Sequence, residues 1–112
     1  KELRPELIDE ITEGNVVLTD KLNFVIGLSF KDFEWENKKF VGISTEAPIF
    51  SALVGKREGD KVEFNGISYT IEEIFKNAFE KYNVNKNKLL RYASRRDQRK
   101  EIEQLIQSIH ND

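Results

Sequence analysis

The sequence predicts an α+β domain: a sheet of about five mainly antiparallel strands, one short helix, and a helical C-terminal extension. Three observations predict it. Apolar residues alternate with small or polar ones through residues 16–43 and again through 62–71, the period of a strand with one buried face. Between those stretches, Pro48 and Gly55 bound a short apolar run with a helix start and a helix stop. After Phe75, apolar residues recur at helical spacing.

Along the chain, Pro5 suits the first turn of a short helix carrying Leu7, Ile8 and Ile11, with Gly14 as its stop. Val16 and Leu18 open a strand, and Asp20-Lys21 sits where a tight hairpin turn is needed. Leu22, Phe24, Ile26, Leu28 and Phe30 form the buried row of the next strand, with Asn23, Val25, Gly27, Ser29 and Lys31 on the open face. Phe33 and Trp35 extend the pattern to a turn at Asn37-Lys38, and Phe40, Val41 and Ile43 make a further strand. Pro48 starts the helix of Ile49, Phe50, Ala52, Leu53 and Val54. Val62 and Phe64 then pair with Ile67, Tyr69 and Ile71 around Asn65-Gly66, two residues that tolerate the positive φ of a tight hairpin turn. Phe79 and Tyr82 are placed to pack back on the sheet. Leu89, Leu90 and Ala93 give one helical stripe, and Ile102, Leu105, Ile106 and Ile109 another. Either two helices meet at Ser94, with Asp97 three places on as in a capping box, or one helix is solvated mid-length. The chain divides into a short N-terminal helix or linker (1–14), a sheet domain (15–76) and a helical extension (77–112).

Composition excludes several classes of chemistry. The 112 residues include no Cys, which removes disulfides and thiolate catalysis. No apolar run approaches the ~20 residues needed to cross a bilayer, and no signal-peptide core opens the chain, so a cytoplasmic protein without membrane contact is expected. The first residue is Lys1 rather than Met, as in a piece of a longer protein. Net charge is −2 but uneven: residues 1–85 carry 11 basic and 16 acidic side chains, residues 86–112 carry 7 and 4. All seven of those bases fall within Lys86–Lys100, the segment that opens the tail.

The most informative segment is Ala47-Pro48-Ile49-Phe50-Ser51-Ala52-Leu53-Val54-Gly55-Lys56-Arg57-Glu58-Gly59-Asp60-Lys61-Val62. It resembles the C-terminal domain of the bacterial Gre transcript-cleavage factors, in which Ser-Pro, an aliphatic and a small residue precede Ala-Leu-Leu-Gly-Lys, two variable residues, Gly-Asp and a strand. Asn65-Gly66-Ile67-Ser68-Tyr69-Thr70-Ile71-Glu72-Glu73-Ile74 resembles the closing hairpin of the same domain. The likeness runs from Val16 to Ile74, about half the chain. It implies an FKBP-like fold, a twisted antiparallel sheet wrapped on a short helix, without prolyl isomerase activity.

The resemblance also implies a function: docking on RNA polymerase at the rim of the secondary channel to modulate transcription elongation. Carried over by position, the docking residues are Glu46, Ala47, Pro48 and Phe50, with Ala47 in place of Ser and Phe50 in place of Gly or Ala. The family's coiled coil, whose acidic tip helps hold a catalytic Mg²⁺, is not in this chain: only about thirteen residues precede the sheet, too few for such a hairpin at 1.5 Å per residue. A different class of function competes, an accessory module of a larger helicase or nuclease. There the basic band of Lys86, Lys88, Arg91, Arg95, Arg96, Arg99 and Lys100 would contact nucleic acid. The same band also reads as a solvated helix face or as a contact to an acidic protein surface. In a third reading, the Ile102–Ile109 stripe pairs with a second copy of the chain.

Nothing in the sequence indicates catalysis, a metal or a cofactor. Glu34 and Glu36 share a strand face opposite Phe33 and Trp35, and the adjacent Glu72 and Glu73 should point to opposite faces, so neither pair reads as an acid–base dyad. His110 is the lone histidine, near the chain end, and reads as a surface residue. Ser51 lacks a nucleophile elbow and a neighbouring His. Phe33 and Phe50 read as core, and Trp35 as core or as part of a partner-binding patch.

Overall fold

A computed structural model describes residues 11–28, 30–84 and 97–111. It contains β1 (Val16–Thr19), β2 (Leu22–Ile26), β3 (Phe33–Trp35), β4 (Lys38–Ile43), α1 (Pro48–Leu53), β5 (Lys61–Phe64), β6 (Ile67–Phe75), α2 (Ala78–Lys81) and α3 (Asp97–Asn111). The architecture is α+β. The strands form one six-stranded sheet in the order β3-β4-β2-β1-β6-β5. Against the expected sheet of about five mainly antiparallel strands, Phe33–Trp35 is a sixth strand, and one of the five strand pairs, β2 with β4, is parallel.

The parallel pair has a local cause. The chain leaves β2 at Gly27, skips one strand position to lay down β3 at the edge, then returns through a hairpin to place β4 between them. The crossing segment lies close over β4. A Cβ on Gly42 would come within 2.8 Å of the Phe30 backbone nitrogen and would also meet the Phe30 ring, so only glycine fits under the crossing. The β3–β4 turn is Glu36-Asn37, one residue earlier than the sequence suggested, with φ of 53° and 68°. Asn65-Gly66 forms the expected hairpin turn, with φ of 54° and 78°.

The Asp20-Lys21 turn needs no positive φ because side chains hold it. Thr19 Oγ1 accepts from the Lys21 and Leu22 amides (3.1 and 3.0 Å) and donates to the Leu22 carbonyl. Asp20 extends the β1–β6 ladder beyond the strand: its amide donates to Thr70 O (3.2 Å) and its carboxylate accepts from Thr70 N–H (2.8 Å).

Both faces of the sheet are covered. On one, Val17, Phe24, Ile26, Ile43, Val62, Tyr69, Ile71 and Ile74 pack with Leu53 of α1 and with Ile11. On the other, Val16, Val25, Phe33 and Phe40 pack with Ala78 and Phe79 of α2 and Ile102, Leu105, Ile106 and Ile109 of α3. Two expectations change accordingly. Val25 is fully buried rather than on an open face, because α3 lies over it. Leu28 does not continue the β2 row: the strand ends at Ile26, and Leu28 joins the α3-side core. The Ile102–Ile109 stripe is spent on this chain's own sheet, with Ile102 fully buried and Ile109 only 6% exposed, so it is not free to pair with a second copy. Of the expected N-terminal helix, Ile11 is buried, and residues 1–10 lie outside the described residues, as do Leu89, Leu90, Ala93 and Ser94.

Candidate docking surface

Residues 44–60 form a corner anchored from beneath. Ser44 opens it: the Ala47 amide donates to the Ser44 carbonyl (3.0 Å), and the Glu46 amide donates to Ser44 Oγ (3.2 Å). Ala47 stands at the N-cap of α1 in extended conformation, with no side chain to cap the helix, and Pro48 occupies the first turn, where its missing N–H costs nothing. Leu53 is the anchor, fully buried against the sheet, and Ala47, Ile49, Phe50 and Ala52 pack partly on the same core. The helix stops at Val54, whose amide donates to Phe50 O (2.8 Å), followed by Gly55 at φ 83°.

The return path is held by hydrogen bonds within itself and to its neighbours. Ile11 N–H donates to Lys56 O (3.1 Å), and the Asp60 carboxylate accepts from Arg57 N–H (2.9 Å). Gly59 N–H donates to Ile71 O (2.7 Å), and the Glu58 carboxylate accepts from Ile74 N–H (2.9 Å). A surface held this way is presented without further ordering. Around α1 its exposed residues include Glu46, Pro48, Ser51 and Val54, with Val54 46% exposed despite its apolar side chain.

Of the four residues expected to dock, Glu46 and Pro48 are thus fully presented, while Ala47 and Phe50 are half-buried edges of the corner. Val54, expected within the helix, is instead the residue that caps its end. Its outward position follows from spacing, because Pro48, Ser51 and Val54 are three apart and share a side of the helix. Of the basic band, Lys86, Lys88, Arg91, Arg95 and Arg96 lie outside the described residues. Arg99 and Lys100 belong to the start of α3, and Lys100 is exposed.

The remaining candidates divide. Phe33 is buried in the α3-side core, stacked on Phe40 at 5.7 Å. Trp35 is half-buried against that core. Glu34 and Glu36 are exposed. Glu72 and Glu73 do not point to opposite faces: Leu18 pairs with Glu73 and Thr19 with Ile71, so Glu72 is the extra residue of a β-bulge and both glutamates are exposed. Ser51 is exposed. His110 is exposed but not isolated, its ring lying 4.8 Å from that of Trp35. Among the described residues, no group of three or more His, Asp and Glu is placed to hold a metal ion, and no helix is long and apolar enough to cross a membrane.

Fold and surface together define a small α+β module with a hydrogen-bonded, exposed corner on one side of its sheet. Residues 60–112, just under half of the chain, match a family described as being of unknown function, DUF6577. The matched stretch contains β5, β6, α2 and α3, the closing hairpin and the helices that cover the second face. No curated protein and no solved structure matches the chain.

Proposed function

We propose that this chain is a non-catalytic protein-binding module that docks on bacterial RNA polymerase through the Glu46–Phe50 corner and modulates transcription elongation. In this reading it acts by occupying the rim of the secondary channel. The resemblance of residues 47–62 to the Gre C-terminal domain supplies the partner. The observation that carries the proposal is the combination at α1: Leu53 fully buried beneath, Glu46 and Pro48 exposed above, and α3 packed on the other face of the sheet. The FKBP-like reading of the fold belongs to the same proposal and is supported by the short helix seated on one face of the sheet. The parallel β2–β4 pair and the helices on the second face are additions to that description.

A pull-down with core RNA polymerase tests the proposal. The wild-type chain is expected to be retained at micromolar concentration. Glu46→Lys combined with Val54→Asp, both at exposed positions, is expected to weaken retention by about tenfold or more, the effect of losing about 1.4 kcal/mol at an interface. Lys100→Glu, on α3, is the control expected to change nothing. Absence of binding by the folded wild-type chain would end the polymerase reading.

A further inference from the structure

On the face opposite α1, strand register sets Leu18, Asn23 and Phe40 side by side, since Leu18 pairs with Asn23 and Asn23 with Phe40. The β3–β4 hairpin adds Trp35, Glu36 and Lys38, the β6 bulge adds Glu72, and the last turn of α3 adds His110. Together these residues line a cleft of about 160 Å³. Its apolar walls are Leu18, Phe40 and the Trp35 ring, which meets Phe40 edge-on at 6.3 Å and His110 at 4.8 Å and 59°.

Asn23, only 3% exposed, is the polar group in the wall. Its Oδ1 accepts from the Thr19 amide (3.1 Å), and this bond fixes the orientation of the side-chain amide, because a backbone N–H needs the oxygen. The Nδ2 group therefore faces elsewhere with two protons, and no acceptor meets it among the described residues. Buried donors are paired in nearly all native proteins, so an orphan beside a cleft calls for an acceptor from outside the chain. Lys38 reaches over the same site, with Nζ donating to Thr19 O (2.6 Å) and two further protons to offer. The exposed carboxylates of Glu36 and Glu72 form the rim and can only accept.

We propose that this cleft binds a free pyrimidine-type base: a planar six-membered ring with a carbonyl acceptor beside N–H donors. Size sets the ring, since an apolar cavity of about 150 Å³ holds one benzene. The acceptor is set by Asn23 Nδ2, which a plain hydrocarbon would leave unpaired. The donors are set by Glu36 and Glu72, which would repel a carboxylate ligand. Trp35, which lines the cleft, adds aromatic contact area for such a ring. This site is independent of the α1 corner, and it stands or falls separately from the polymerase reading.

The test is a ¹H–¹⁵N NMR titration of the full chain with uracil, with benzene as the apolar control. The expected result is saturable shifts at the Asn23 side-chain amide and the Trp35 indole, in the millimolar range or tighter, with uracil bound at least about tenfold more tightly than benzene. The double variant Glu36→Asn with Glu72→Ala alters only exposed positions, and Asn is suited to the positive φ at position 36. It should weaken uracil binding by about tenfold. No saturable shift, shifts confined to other surfaces, benzene bound as tightly as uracil, or unchanged affinity in the double variant would each overturn the assignment.

Discussion

On one face of the sheet the cover is α1, six residues that lie between β4 and β5 in the chain and reach the core through Leu53. On the other it is α3, fifteen residues from the far end of the chain, inserting Ile102, Leu105, Ile106 and Ile109. The two cores share the same strands, so a residue such as Val17 faces one and its neighbours Val16 and Leu18 face the other. A local cover leaves an open outer surface, the Glu46 corner. A cover brought in from a distance turns what would be a solvated face into a second core and builds a cleft at its end.

If both covers belong to one cooperative unit, damage to either should be felt by the whole. Leu105→Ala and Leu53→Ala each remove a fully enclosed side chain from opposite faces. Each is expected to lower unfolding stability by about 2–5 kcal/mol in chemical denaturation, within a single transition. Two separate transitions in the Leu105 variant would mean that α3 is an appendage rather than a layer. A smaller effect is expected at the crossing that makes the sheet mixed. Gly42→Ala would press a methyl group into Phe30 and should cost about 1–3 kcal/mol, read the same way.

The smallest effect concerns the exposed end of the β1–β6 ladder. The Thr70 amide, and then Lys21, hold the Asp20 carboxyl below the usual carboxylate range. Because its folded pKa lies below the unfolded value of about 3.9, the stabilisation is present above about pH 4 and is lost as pH falls through the folded pKa. Asp20→Asn should therefore show a shallower loss of stability below about pH 4 than the wild type in acid titration followed by circular dichroism.

The sequence made the α1 face legible because its signals are local. Pro48, Gly55 and Asn65-Gly66 each act within a few residues, and the structure places the helix and the hairpin where they indicate. The second face was less legible, because burial of Val25 depends on a helix some eighty residues away in the chain. Two breaks in alternation also escaped the pattern: the end of β2 at Ile26 and the bulge at Glu72. The strand period alone carries a row straight through such positions. The cleft escaped for the same reason, since Asn23, Trp35, Glu72 and His110 come from four elements and no spacing in the chain unites them. At the α1 corner, Glu46 and Pro48 lie in the segment that carries the motif and are exposed, and the outward position of Val54 follows from helical spacing.

The α1 side is the face proposed to meet the polymerase, and α3 covers the other face of the sheet. Hydrogen–deuterium exchange of the chain with and without core RNA polymerase measures this directly. Slowed exchange is expected within residues 44–57 and unchanged exchange in residues 100–110. Protection centred on α3, or none anywhere at saturating polymerase, would contradict it.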